Sequence, residues 1–160
     1  MARNHMIVPT APTEAGITAR LGAAAGAGGN LSDLDVNKLV KLSAESTYNL
    51  AVAGDEIEGV ITSVESATQN GWTIGGVSIE FDRMYVTFDG LQGTPGVGVV
   101  AIGDYVVAGS ITAKGTALSG YPKVCKATAA GTGLNHKLRV VSLGSAGTGA
   151  VGTVGVIQRV

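Results

Sequence analysis

The sequence predicts an all-β protein, and three observations carry that prediction. Apolar residues recur with a period of two from Val77 to Phe88, Asn-Gly and Gly-Asp pairs punctuate the chain, and glycine and Ser/Thr clusters separate short valine-rich runs. Short strands spaced in this way build a barrel or a sandwich, whereas a parallel α/β fold would place helical stretches between them.

The elements follow in chain order. Met6–Pro9 and Ala11–Pro12 read as extended chain, because each proline pushes its predecessor out of the helical region. Ala15–Leu21 is read as a short helix, Gly22–Gly29 as a flexible Gly/Ala-rich linker, and Asn30–Asn37 as a polar turn. Residues 1–37 are therefore expected to form an extended N-terminal arm and linker that buries too little surface to fold alone. That leaves residues 38–160 as the β-rich domain.

Strands are expected at Leu39–Leu42, Tyr48–Val52 and Ile57–Glu65. Asn70–Gly71 readily takes the positive φ of a type I′ turn, which would join Ile57–Glu65 to a strand beginning at Trp72. Val77, Ile79 and Phe81 alternate with Ser78, Glu80 and Asp82; Met84, Val86 and Phe88 alternate with Tyr85, Thr87 and Asp89. These are two half-buried strands, with Asp82–Arg83 as the expected hairpin turn between them. Further strands are expected at Val97–Ile102, Tyr105–Ile111, Lys123–Lys126, Leu138–Leu143 and Val154–Val160. Gly54–Asp55 and Gly103–Asp104 each precede a strand; the glycine allows a turn and the aspartate can hydrogen-bond its own backbone.

Composition narrows the function classes. The 160 residues include 25 glycines, and the aromatics are one Trp, two Phe and four Tyr, so the core must be thin and aliphatic. Partner subunits are expected to supply part of the missing burial. A net charge of −1 without a basic patch argues against nucleic acid. Apolar runs are broken well short of the ~20 residues of a membrane span, and Met1–Met6 lacks the apolar core of a secretory signal. The single Cys125 excludes an internal disulfide, suits a reducing compartment and reads as a small core filler. Synthesis in the cytoplasm is the expectation.

Motifs that suggest chemistry do not survive inspection. Gly147, Gly149 and Gly152 spell GxGxxG, but a dinucleotide site needs a following helix, and the residues after Gly152 read as a strand. Cys125 and His136 could pair as a nucleophile and its base, but a structural role for both is favoured. The two histidines and one cysteine match no zinc spacing. Asp33, Asp35, Asp55, Glu56 and Glu58 lack the dense loop spacing of a calcium site, and Glu56 and Glu58 read as a solvated edge. Trp72 reads as a core plug, or as an interface anchor. Seven aromatics, most at core positions, make a carbohydrate module a poor fit. No enzyme activity, cofactor or metal is expected.

Val40–Leu42, Tyr48–Ala51, Gly54–Ile57 and Gly59–Ser63, with Val140–Leu143 and Gly152–Val156, resemble the capsid decoration (cement) proteins of tailed bacteriophages. The likeness runs from about residue 36 to the C-terminus and leaves out the arm. It implies a small β-barrel-like or β-tulip-like protein on the outer surface of the virion, where oligomers, often trimers and sometimes dimers, clamp neighbouring major capsid subunits. It carries over no functional residue individually. The arm residues Arg3, Asn4, His5, Met6, Ile7 and Val8 are expected to add extended contacts to a neighbouring capsid subunit, since a chain ordered on binding trades entropy for strand-like contacts. The alternative is another self-assembling part, such as a tail-tube, fibre or surface-layer subunit, which would polymerise without a shell.

Overall fold

A computed structural model describes residues 7–8, 15–22, 31–44, 47–65, 73–128 and 133–160. Arg3, Asn4, His5 and Met6, the linker from residue 23, the Asn70–Gly71 turn and Trp72 lie outside the described residues. The fold is all-β, as the periodicity predicts. In chain order the strands are β1 (Ile7–Val8), β2 (Ala15–Leu21), β3 (Leu39–Ala44), β4 (Thr47–Leu50), β5 (Gly59–Glu65) and β6 (Ile74–Glu80). They continue as β7 (Arg83–Leu91), β8 (Thr94–Pro95), β9 (Val106–Ala108), β10 (Lys123–Lys126), β11 (Leu138–Ser142) and β12 (Val154–Arg159). A 3-10 turn, Asp33–Asp35, precedes β3.

Five strands close a barrel in the order β2-β4-β3-β5-β6, with β6 returning to β2. The expected helix at Ala15–Leu21 is therefore corrected: these residues are a barrel strand, antiparallel to β6 with Ile17 opposite Val77. The segment read as a free-standing arm thus supplies one wall of the barrel. Ala19 and Leu21 turn inward beside Val40, Leu50, Ile61 and Val77, while Thr18 and Arg20 face water. A barrel this narrow has no room for a full set of side chains. Gly75 is bare because the Ser63 carbonyl oxygen and the Leu21 side chain already occupy the space its side chain would need.

The second sheet runs β11-β12-β7-β10-β9, with β1 and β8 also on β7. All its pairings are antiparallel except β7 with β10, where Val124 stands beside Phe88. The expected hairpin at Asp82–Arg83 is a second correction. β6 belongs to the barrel and β7 to the sheet, so Asp82 and Arg83 mark the crossover between them. A period-two pattern fixes which side chains point inward, but not which strand lies alongside.

Alternation sends Met84, Val86 and Phe88 into a core shared by both sheets. Val124, Leu138, Val140 and Ile157 join them from the sheet, and Leu39, Ala51, Ile57, Val60 and Phe81 from the barrel side. Each fully buried large side chain here contributes about 1.5–3 kcal/mol. The junction is also tied by polar contacts. Arg159 lies 5.1 Å from the Phe81 ring centroid and donates from Nη2 to the Glu58 carbonyl at 3.3 Å. Glu56 accepts from the backbone of Asn135 and His136, both at 3.0 Å. Glu56 and Glu58 therefore clasp the barrel to the loop before β11; they are not the solvated strand edge that sequence alone suggested.

A second clasp lies deeper. Asp35 and Lys38 are both buried and pair at 2.7 Å. The Asp35 carboxylate also accepts from the backbone N–H of Ser32 and Gly115, and Lys38 Nζ donates to the Ala113 carbonyl at 2.7 Å. One ion pair thereby holds the start of β3 to the long loop between β9 and β10.

Candidate interaction surfaces

Three turns of one design shape the exposed side of the sheet. In Val52–Asp55 and Ala101–Asp104, the fourth residue donates its backbone N–H to the first, at 3.0 and 3.1 Å. The third is glycine with φ of +90° and +91°, the signature of a type II turn. The aspartate takes the N–H of the first residue at 2.8 Å in both, as the Gly-Asp pairs predicted. Each turn then docks on a strand by two reciprocal bonds. Gly54 and Asp55 engage Ala108 of β9, while Gly103 and Asp104 engage Val140 of β11. A lysine completes each: Lys41 on Asp55 at 2.8 Å and Lys126 on Asp104 at 3.0 Å.

Ala150–Thr153 is a third copy that sequence reading missed. Gly152 has φ +84°, Thr153 N–H donates to Ala150, and Gly152 with Thr153 engages Phe88 of β7 in the same reciprocal way. Threonine replaces the aspartate, so a search for Gly-Asp passes it by. The Gly147–Gly152 run is thus a turn leading into strand β12.

The expected strand Val97–Ile102 is present only as isolated bridges, Val97 to Gly90 and Val99 to Ala150. Val97 and Val99 point into solvent, as do Leu91, Ile102 and Val151.

At the opposite end of β7, β1 pairs antiparallel, with Ile7 opposite Met84 and Val8 opposite Arg83. β12 occupies the other side of these same residues, so β1 sits in line with β10 along the sheet. Among the described residues, no strand pairs with the outer side of β1.

Among the described residues, Cys125 and His136 are not brought together at either surface. Cys125 is wholly buried in β10 opposite Val107, and its thiol donates to the Asp89 carbonyl at 3.4 Å. His136 stands elsewhere, with Nε2 3.9 Å from Glu58 and Nδ1 3.4 Å from Arg159. Burial pushes the Cys125 thiol up to about 11; the Asp89 charge adds to the shift and Lys123 opposes it. Thiol reagents at mildly alkaline pH are therefore expected to leave native Cys125 unmodified and to label it only after unfolding. Rapid stoichiometric labelling of the folded protein would contradict its burial.

A small pocket of about 30 Å³, space for one or two waters, lies between β3–β4 and the Gly109–Thr112 and Pro122–Lys123 segments. No group of three or more His, Cys, Asp or Glu among the described residues is placed to hold a metal, and no described helix is long and apolar enough to cross a membrane. No protein-family model, curated protein or solved structure matches the chain.

Proposed function

We propose that this protein is a structural component of a tailed-phage virion, binding the outer surface of the head and cementing neighbouring major capsid subunits. The likeness of Val40–Leu42, Tyr48–Ala51, Gly54–Ile57, Gly59–Ser63 and the C-terminal strands to decoration proteins supports the reading. The observation that carries it is the position of β1. Ile7 and Val8 already lie in strand geometry at the end of β7, and the outer side of β1 is open among the described residues. An open strand edge offers its N–H and C=O groups to an extended segment of another chain. Arg3–Val8 would extend that edge toward a capsid subunit. Cementing needs a firm body and repeated modest contacts, because engaging several subunits at once converts weak binding into avidity.

The test is binding of the full chain to expanded, empty heads stripped of decoration. Deleting residues 1–8 spares barrel strand β2, so folding is expected to persist. Head binding is expected to fall at least about tenfold, the equivalent of roughly 1.4 kcal/mol. Undiminished binding would remove the arm from the mechanism, and failure of the intact chain to bind would remove the function. Polymerisation of the purified chain without any shell would favour a tail-tube, fibre or surface-layer subunit instead.

A further inference from the structure

Cross-strand register defines the outer face of the second sheet. Arg139 of β11 stands opposite Gln158 of β12, which in turn stands opposite Arg83 of β7. Further along the same strands Val156 lies opposite Tyr85 and Val154 opposite Thr87, and Lys123 of β10 stands beside Thr87. Directly opposed residues share one side of a sheet. The intervening Met84, Val86, Leu138 and Ile157 fill the core on the other side. Arg83, Lys123 and Arg139 are exposed, Tyr85 and Val154 are 36% and 37% exposed, and Val156 is half-buried.

The middle of this face is apolar. A solvated face of an antiparallel sheet normally alternates polar residues outward, yet β7 and β12 turn Tyr85, Val154 and Val156 to that side. Tyr121 packs on Tyr85 with ring centroids 5.4 Å apart. A ring already held in place loses little conformational entropy when it is covered.

The margin is cationic. Arg83, Arg139 and Lys123 flank the apolar residues, and exposed Lys137 lies two residues before Arg139. Among the described residues, Arg83, Lys137 and Arg139 form no ion pair. Asp82, at the border, accepts from Gln158 Nε2 at 3.0 Å, and the buried Asp89 lies 4.0 Å from Lys123. The cations outnumber these carboxylates although the whole chain carries a net charge of −1. Arg83 and Arg139 are far apart along the sequence, so only the fold assembles the patch.

We infer that this face docks on an acidic surface of a folded protein. Charge complementarity is the first reason, since arginine forks pair with carboxylates in two parallel hydrogen bonds. Anatomy is the second: an apolar centre inside a charged margin is the pattern of protein interfaces. Single-stranded nucleic acid would need rings for its bases to stack on, and the valines offer none. The inference rests on the capsid reading for the partner's identity, which makes the acidic surface that of the major capsid subunit. Position agrees with that reading, because Val8 of β1 pairs with Arg83 and so brings the arm to the edge of the same face.

Binding of the full chain to expanded, empty heads tests the inference. Arg83→Glu combined with Arg139→Glu is expected to weaken binding at least about tenfold and to flatten its dependence on salt. Tyr85→Ser is expected to weaken it by a similar factor with the salt dependence retained. Arg20→Glu, an equal charge change on the barrel, is expected to leave binding unchanged. Circular dichroism checks folding, and Arg83→Gln with Arg139→Gln serves as the milder pair if the reversals disturb it. Undiminished binding by the double variant, or an equal loss from Arg20→Glu, would overturn the face while leaving the capsid role standing. A wild type that ignores heads refutes the capsid role and takes this partner with it. Binding of a fluorescent oligothymidine strand that the double variant abolishes would assign the face to nucleic acid and overturn the protein partner.

Discussion

Replacing Asp35 by Ala is expected to destabilise the fold by about 3–5 kcal/mol, because the Lys38 ammonium is left buried without a counter-charge. Lys38 cannot swing into water while its main chain is fixed beside β5, where the Ile61 N–H donates to the Lys38 carbonyl at 3.0 Å. The Ser32 and Gly115 N–H groups also lose their acceptor. Chemical denaturation reads the loss directly. The double variant Asp35→Leu, Lys38→Met is expected to recover part of it, since an apolar pair of similar size removes the stranded charge. Recovery stays partial because the Ala113 carbonyl and two backbone donors still lack partners. A cost under about 1 kcal/mol for Asp35→Ala, typical of a solvated pair, would contradict the burial of this contact.

The same carboxylate gives a pH signature. Burial alone would raise its pKa; the hydrogen bonds from Lys38, Ser32 and Gly115 and the Lys38 charge outweigh burial and hold it below the usual value. A depressed folded-state pKa means that the unfolded chain takes up the proton first. The contribution of Asp35 is therefore complete at neutral pH and fades as pH falls below about 4. Melting temperature followed from pH 6 downward is expected to drop on this limb in the wild type, and Asp35→Asn is expected to flatten the drop.

Gly155→Val is the second large effect, with an expected loss of at least about 3 kcal/mol, at or beyond the upper end for overpacking. A Cβ at this position in β12 would overlap the Phe88 ring and approach the Ser142 carbonyl oxygen to 2.6 Å. Phe88 is fully buried in the shared core, so its ring has nowhere to retreat. Gly155→Ala is expected to cost about 1–3 kcal/mol by the same clash. Adding Phe88→Leu to Gly155→Ala should cost less than the sum of the two single changes, because the smaller side chain vacates the contested space. Strict additivity in the double-mutant cycle would show that ring and glycine do not meet.

The alternation that marked Met84, Val86 and Phe88 as inward-facing was legible in the sequence because burial on one strand face is a local property. Partnership is not local. The run from Val77 to Phe88 looks like a hairpin, yet its halves enter different sheets, since each finds its apolar neighbours elsewhere in the chain. Ala15–Leu21 carried a readable signal in Ile17, Ala19 and Leu21 alternating with Thr18 and Arg20, but so short a run fits a short helix as well as a strand. Asp35 could not be recognised as buried because a polar turn on the surface has the same composition; only Lys38 three residues on hinted at a pair. Val97, Val99 and Ile102 fall in an expected strand, yet their side chains are exposed, because burial depends on what packs across from a segment and not on its own apolar content.

The place of β12 between β11 and β7 has a consequence for biosynthesis. The barrel strands are all translated by residue 80, so that unit can close early, whereas β7 waits for residues 154–159 before its flank is filled. At roughly 5–20 residues per second the wait lasts several seconds. Throughout that interval the nascent chain presents an unsatisfied apolar ribbon centred on Phe88, and on a polysome neighbouring nascent chains would present the same ribbon to one another.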